Sequence, residues 1–123
     1  MQAVIDFLKQ NESRFISELT DYVRFPSVSA QPKHRDDMKA CADWVVKRCQ
    51  QIGLQAELCA TKGHPIVLAK TPRRPGRKHF LVYGHYDVQP PEPFELWKTP
   101  PFEPRIDGRS LFARSEGCQS WDS

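Results

Sequence analysis

Met38-Lys39-Ala40-Cys41-Ala42-Asp43-Trp44-Val45-Val46-Lys47-Arg48-Cys49-Gln50-Gln51-Ile52-Gly53 runs straight into Leu54-Gln55-Ala56-Glu57-Leu58-Cys59-Ala60, and the hydrophobic period changes at the glycine. Before it, Met38, Cys41, Ala42, Val45, Cys49 and Ile52 stand at offsets 0, 3, 4, 7, 11 and 14, which is one face of an amphipathic helix. Asp36 or Asp37 suits its first turn, where negative charge meets the positive end of the helix dipole, and Gly53 suits its C-terminal stop. After Gly53, Leu54, Ala56, Leu58 and Ala60 alternate with Gln55, Glu57 and Cys59, the period of a half-buried strand.

Working outward, Ile66-Val67-Leu68-Ala69 predicts a second strand. Phe80-Leu81-Val82-Tyr83 predicts a third, apolar on both faces and therefore central in a sheet. Leu111-Phe112-Ala113 is a candidate fourth. Upstream, Val4, Phe7 and Leu8 suggest a short helix. Asn11 is placed to cap a second helix that carries Phe15, Ile16, Leu19, Tyr22 and Val23, and Pro26 closes this unit. Helices followed by strands separated by loops predict an α/β layered domain with a mixed β-sheet.

At 123 residues the chain has the length of one domain, with 39% apolar and 27% charged residues. No apolar run approaches the ~20 residues of a membrane span, so no membrane partner is expected. The start, Met1-Gln2-Ala3-Val4-Ile5-Asp6, has neither a basic region nor a long apolar stretch, and no secretory signal is read there. Cys41, Cys49, Cys59 and Cys118 form no Cys-x-x-Cys pair, so four free thiols in a reducing, cytoplasmic compartment are expected. The thiols on the helical stripe, like Met38, read as core. The net charge of +3 is mild. Lys70, Arg73, Arg74, Arg77 and Lys78 concentrate positive charge in one loop, but no aromatic residue interleaves them. That loop reads as a solvated connection, and no nucleic-acid partner is expected.

Tyr83-Gly84-His85-Tyr86-Asp87-Val88-Gln89-Pro90 carries the chemistry. It follows the expected central strand, and ligands of α/β sheets bind beyond the carboxyl ends of strands. An extended backbone puts residues i and i+2 on one side, so His85 and Asp87 would share a crevice. A neutral imidazole is a common metal ligand, and a carboxylate can hold its other N–H. On its own the pair is weak evidence for a metal and reads first as a hydrogen-bonded turn histidine, with a metal ligand and its orienting acid as the second reading.

The surrounding residues add a resemblance. Gly84 to Pro90, Leu96-Trp97-Lys98-Thr99-Pro100-Pro101-Phe102-Glu103-Pro104 and Leu111-Phe112-Ala113-Arg114 resemble the zinc-dependent metallopeptidases of the M20 family, which include dipeptidases, related carboxypeptidases and deacylases. The Asp-Val-Gln-Pro form is most similar to the dipeptidase branch, and Arg24-Phe25-Pro26-Ser27-Val28-Ser29 resembles the family's first loop. The resemblance implies that residues 1–114 are the N-terminal part of a three-layer catalytic domain. It implies that His85 is a metal ligand and that Asp87 is the catalytic-site carboxylate that holds the imidazole. It further implies two Zn2+ ions in the complete site and peptide or N-acyl amino acid substrates. Trp97, Pro100, Pro101 and Phe102 would serve packing.

The sequence then departs from the family. Where Gly-Ala-Ser-Asp would follow Arg114, with an aspartate bridging two metals, it reads Ser115-Glu116-Gly117-Cys118-Gln119-Ser120-Trp121-Asp122-Ser123. The family's other ligands, its general base and its lid domain have no counterpart in the 123 residues. The isolated chain is therefore expected to bind metal weakly at most and to lack peptidase activity. An uncovered sheet edge would favour self-association. The alternative is a non-enzymatic module that pairs with a full-length relative. Residues 115–123 also suit an out-of-frame tail. Glu116-Gly117-Cys118-Gln119 can be encoded GAG GGN TGY CAR, which read one nucleotide later can give Arg-Gly-Ala-Ser. Sequencing the coding DNA decides the matter: a shifted frame that does not read Arg-Gly-Ala-Ser there removes the idea.

Overall fold

A computed structural model describes residues 1–114; the divergent tail expected at 115–123 lies outside them. The described residues form an α/β structure of two compact units: Pro26–Pro90, and Met1–Phe25 together with residues 91–114.

In the unit Pro26–Pro90, a single 3-10 turn at Pro32–His34 leads into the helix Arg35–Gln51, called α3 in chain order. Asp36 and Asp37 lie in its first turn, as expected from the dipole. Its end is a Schellman motif: Gly53 N–H donates to the Gln50 carbonyl and Leu54 N–H to the Cys49 carbonyl, both at 3.0 Å. Gly53 adopts φ +87°, which a side chain would oppose. The chain then turns directly into β1 (Gln55–Cys59), which pairs antiparallel with β2 (Ile66–Lys70) from Gln55↔Lys70 to Cys59↔Ile66. The helix α3 packs on both strands. The stripe read from sequence is buried in its first half, at Met38, Cys41 and Ala42, while Ile52 at the helix end is exposed. Val28 and Ser27 complete the buried set of this unit.

One expected element is corrected. Phe80-Leu81-Val82-Tyr83 is neither central nor a strand among the described residues; all four residues are between 85% and 97% exposed. Apolarity on both faces reports the burial that a strand needs on each side, but it does not supply the neighbours. No described strand pairs with the segment. The described residues form two separate antiparallel strand pairs and one isolated parallel bridge, Val28↔Val88.

In the other unit, α1 (Gln2–Gln10) and α2 (Glu12–Tyr22) meet at Asn11. Asn11 occupies the expected cap position, but its side chain turns back and Nδ2 donates to the Phe7 carbonyl at 2.8 Å. Phe7 and Phe15 contact edge to face, with ring centroids 6.1 Å apart, and the Arg14 guanidinium sits 4.8 Å from the Phe15 centroid. β3 (Arg105–Asp107) and β4 (Ser110–Phe112) form a hairpin through Gly108 at φ +59°, which accounts for the strand read at Leu111. Between Lys70 and Arg105 the proline-rich chain carries only the 3-10 turn Phe94–Leu96 among its described elements.

Burial separates two apolar substitutions. Met38→Ala, at a site 2% exposed, is expected to cost about 2–5 kcal/mol in urea unfolding. Leu81→Ala, at a site 97% exposed, should stay within about 0.5 kcal/mol.

Candidate functional site

The segment Tyr86–Val88 is held by the loop Ser27–Ser29, some sixty residues earlier in the chain. Val88 N–H donates to the Ser27 carbonyl at 2.9 Å, within the Val28↔Val88 bridge. Ser27 Oγ donates to the Tyr86 carbonyl at 2.7 Å. Cys41 Sγ approaches the same carbonyl at 3.7 Å. The Tyr86 hydroxyl donates to the Pro65 carbonyl at 2.5 Å, which ties the segment to the turn between β1 and β2. Proline at 26 bars helix at the preceding residue and leaves the loop backbone free to pair in this way.

On this anchored backbone His85 and Asp87 come together. His85 Nδ1 lies 3.1 Å from Asp87 Oδ1 and 3.2 Å from the Asp87 carbonyl, so Nδ1–H donates to both oxygens. The second carboxylate oxygen, Oδ2, accepts from Ser29 Oγ at 2.5 Å. The Ser29 hydroxyl foremost, against a smaller opposing effect of burial, and then the His85 contact hold the Asp87 carboxyl below its ordinary value. Both side chains of the pair are about two-fifths exposed, so the site opens to solvent. An imidazole whose Nδ1–H is engaged by a carboxylate presents Nε2 as its ligand nitrogen.

The pair expected from sequence is therefore adjacent in space, although the strand expected to lead into it is not formed. Sequence reasoning missed Ser29, which was read only as part of a loop; its signal was the Arg24–Ser29 segment itself. Cys41 is not a ligand candidate, because burial pushes its thiol up to about 11. Its position in the core agrees with the helical stripe. Among the described residues no three His, Cys, Asp or Glu side chains gather as a metal site. A zinc site takes three or four protein ligands, so these residues do not by themselves fit a complete one.

A scan against models of protein families found no match. Individual proteins did match. The chain is 31% identical over 120 residues to a Cys-Gly metallodipeptidase of Candida albicans, a match that takes in 87% of this chain and 25% of that protein. A solved dipeptidase structure from Saccharomyces cerevisiae superposes with a TM-score of 0.84 at 27% identity, over 92% of this chain and 26% of its own. A metallo-carboxypeptidase of the M20 family from Sulfolobus solfataricus superposes with a TM-score of 0.72 at 34% identity, over 80% and 22%. The chain has the sequence and fold of an M20 metallopeptidase segment. It spans about a quarter of the length of the curated relatives it matches. These relatives are metal-dependent enzymes by name, and the segment they share with this chain includes the His85–Asp87 region.

The lowered Asp87 pKa carries a sign for stability. A carboxyl whose folded value lies below its unfolded one stabilises the fold above the unfolded value of ~3.9, and that contribution is lost as pH falls through the folded value. Ser29→Ala removes the leading cause of the shift. Its urea midpoint should fall below that of the unaltered chain near pH 6, and the gap should narrow towards pH 2.

Proposed function

We propose that residues 1–114 are the part of an M20-type dipeptidase domain that supplies one metal ligand, His85, with Asp87 as the carboxylate that orients it. The observation that carries this reading is the chain of contacts from Ser29 Oγ through the Asp87 carboxylate to His85 Nδ1. A carboxylate that holds one imidazole nitrogen fixes the tautomer and ring direction needed at a metal. Imidazole nitrogen and carboxylate oxygen suit zinc, which in the complete site polarises a scissile carbonyl and lowers the pKa of bound water. The similarity to metallodipeptidases favours short peptides as substrates of the complete site, N-acyl amino acids being the related class. Free Cys41, Cys49 and Cys59 fit a reducing compartment, and we place the protein in the cytoplasm on that ground. No helix among the described residues is long and apolar enough to cross a membrane.

With one imidazole and one doubly engaged carboxylate, the 123-residue chain is assigned weak metal binding and no peptidase activity of its own. Zinc titrated into the purified chain should bind only at high concentration, on the order of 0.1 mM or weaker, and His85→Ala should abolish that binding. Cys-Gly hydrolysis with added zinc should not exceed the His85→Ala background. Chelator-sensitive hydrolysis by the unaltered chain would sink the reading.

A second reading concerns partners. Phe80–Tyr83 leaves four consecutive apolar side chains in water, and backbone polar groups beside them are open to pairing. We infer that the chain self-associates through this segment. Light scattering across a concentration series should show growth in mass, and Leu81→Lys combined with Val82→Lys should abolish it. A monomer at all concentrations in the unaltered chain removes this partner assignment.

A further inference from the structure

The turn between β1 and β2 reaches the site at two points. His64 Nε2 lies 3.0 Å from the Ser29 carbonyl; a carbonyl only accepts, so Nε2–H donates. The next residue, Pro65, offers its carbonyl to the Tyr86 hydroxyl at 2.5 Å. The dipeptide His64-Pro65 thus grips both neighbours of the His85–Asp87 pair: the loop residue that bonds Asp87, and the residue between His85 and Asp87. Thr61 braces the turn from inside, since its Oγ1 donates to the His64 carbonyl at 2.7 Å and accepts from Gly63 N–H at 3.0 Å. His64 is only partly exposed, so its bond to Ser29 is sheltered from competing water.

We propose that His64 is a positioning residue for His85, acting through Ser29 and Asp87. The sequence of donors runs one way. His64 Nε2–H fixes the Ser29 backbone at its carbonyl. Ser29 Oγ–H then meets Asp87 Oδ2 at 2.5 Å, and Asp87 Oδ1 accepts the hydrogen bond from His85 Nδ1–H. A serine hydroxyl rotates freely and could bond elsewhere; only a fixed backbone keeps its oxygen over one carboxylate oxygen. With Oδ2 so occupied, Oδ1 is the oxygen turned to the imidazole. The effect on His85 is a choice of tautomer, Nδ1–H rather than Nε2–H, and that choice leaves Nε2 as the ligand nitrogen. The proposal rests on the reading of His85 as a ligand only for its purpose; the chain of bonds exists without metal.

The test is the nitrogen-15 spectrum of the histidine rings in the full, metal-free chain at pH 8. In the unaltered protein His64 should be the Nε2–H tautomer and His85 the Nδ1–H tautomer. His64→Leu should release His85 towards the mixed tautomers of a free imidazole, and His64→Gln, which retains an N–H donor of similar reach, should restore the Nδ1–H form. A purely structural role for His64 would lower the unfolding midpoint and leave the His85 ring signals where they were; that result overturns the proposal. So does an Nδ1–H tautomer at His64 in the unaltered chain, a measurement that stands even if His64→Leu fails to fold. Zinc titration separates the two readings. Absence of His85-dependent zinc binding with an intact tautomer response removes the ligand role and keeps the positioning; the reverse removes the positioning and keeps the ligand.

Discussion

The clasp between Ser27–Ser29 and Tyr86–Val88 is the constraint on which the site depends. It joins two loops that share no helix or paired strand, and it does so with backbone and side-chain bonds at once: Val88 N–H to the Ser27 carbonyl, Ser27 Oγ to the Tyr86 carbonyl, and Ser29 Oγ to Asp87. Ser27 and Val28 are buried, as are Met38, Cys41 and Ala42 of α3, and Cys41 Sγ approaches the same Tyr86 carbonyl that Ser27 Oγ bonds. Buried polar atoms need partners, and among the described residues none of the buried side-chain nitrogen or oxygen atoms lacks one. The core and the site are therefore one structure.

The contrast with Phe80–Tyr83 lies within the same stretch of chain. From Tyr86 onward every residue to Val88 has a partner in the loop or the hairpin turn, and the chain is half-buried. Three residues earlier the side chains stand in water. Gly84 sits between the two regimes, with open space where a Cβ would project. The order of the site is thus imposed from its C-terminal side and from the two loops, not from a strand feeding into it. Burial of an apolar side chain such as Leu or Phe is worth roughly 1.5–3 kcal/mol, which gives the segment a strong tendency to find cover.

Much of the fold was legible because its signals are local. The α3 stripe and its stop at Gly53 follow from helical period and from one residue that tolerates positive φ, both written within 16 residues of sequence. The change to period two then places β1 without ambiguity, and the antiparallel pairing with Ile66–Lys70 needs only a short turn. The nearness of His85 and Asp87 follows from their spacing. What escaped was non-local or conditional. Ser29 lies 58 residues from Asp87, and the Arg24–Ser29 segment marks a loop without naming its distant partner. His64 is further removed, since it acts on Ser29 through a backbone carbonyl that any residue would carry. Phe80–Tyr83 failed for the opposite reason: its composition states what environment it requires, and that environment is not among the described residues.

The arrangement also separates two roles that a carboxylate could take. A general base must hold a pKa near the working pH and keep a lone pair for the incoming proton. Asp87 does not meet the first condition, for its oxygens accept from Ser29 Oγ and His85 Nδ1, and both bonds favour the ionised form and hold its pKa below the ordinary value. Those same bonds make it a good holder. The negative charge stays in place at neutral pH, the imidazole proton is pinned to Nδ1, and electron density moves towards Nε2. Under the proposed reading Asp87 thus strengthens a ligand and takes no proton, and the proton transfer of peptide hydrolysis must fall to a group other than this pair. Under that reading the use of the pair depends on further ligands that reach Nε2, since a zinc site takes three or four protein ligands.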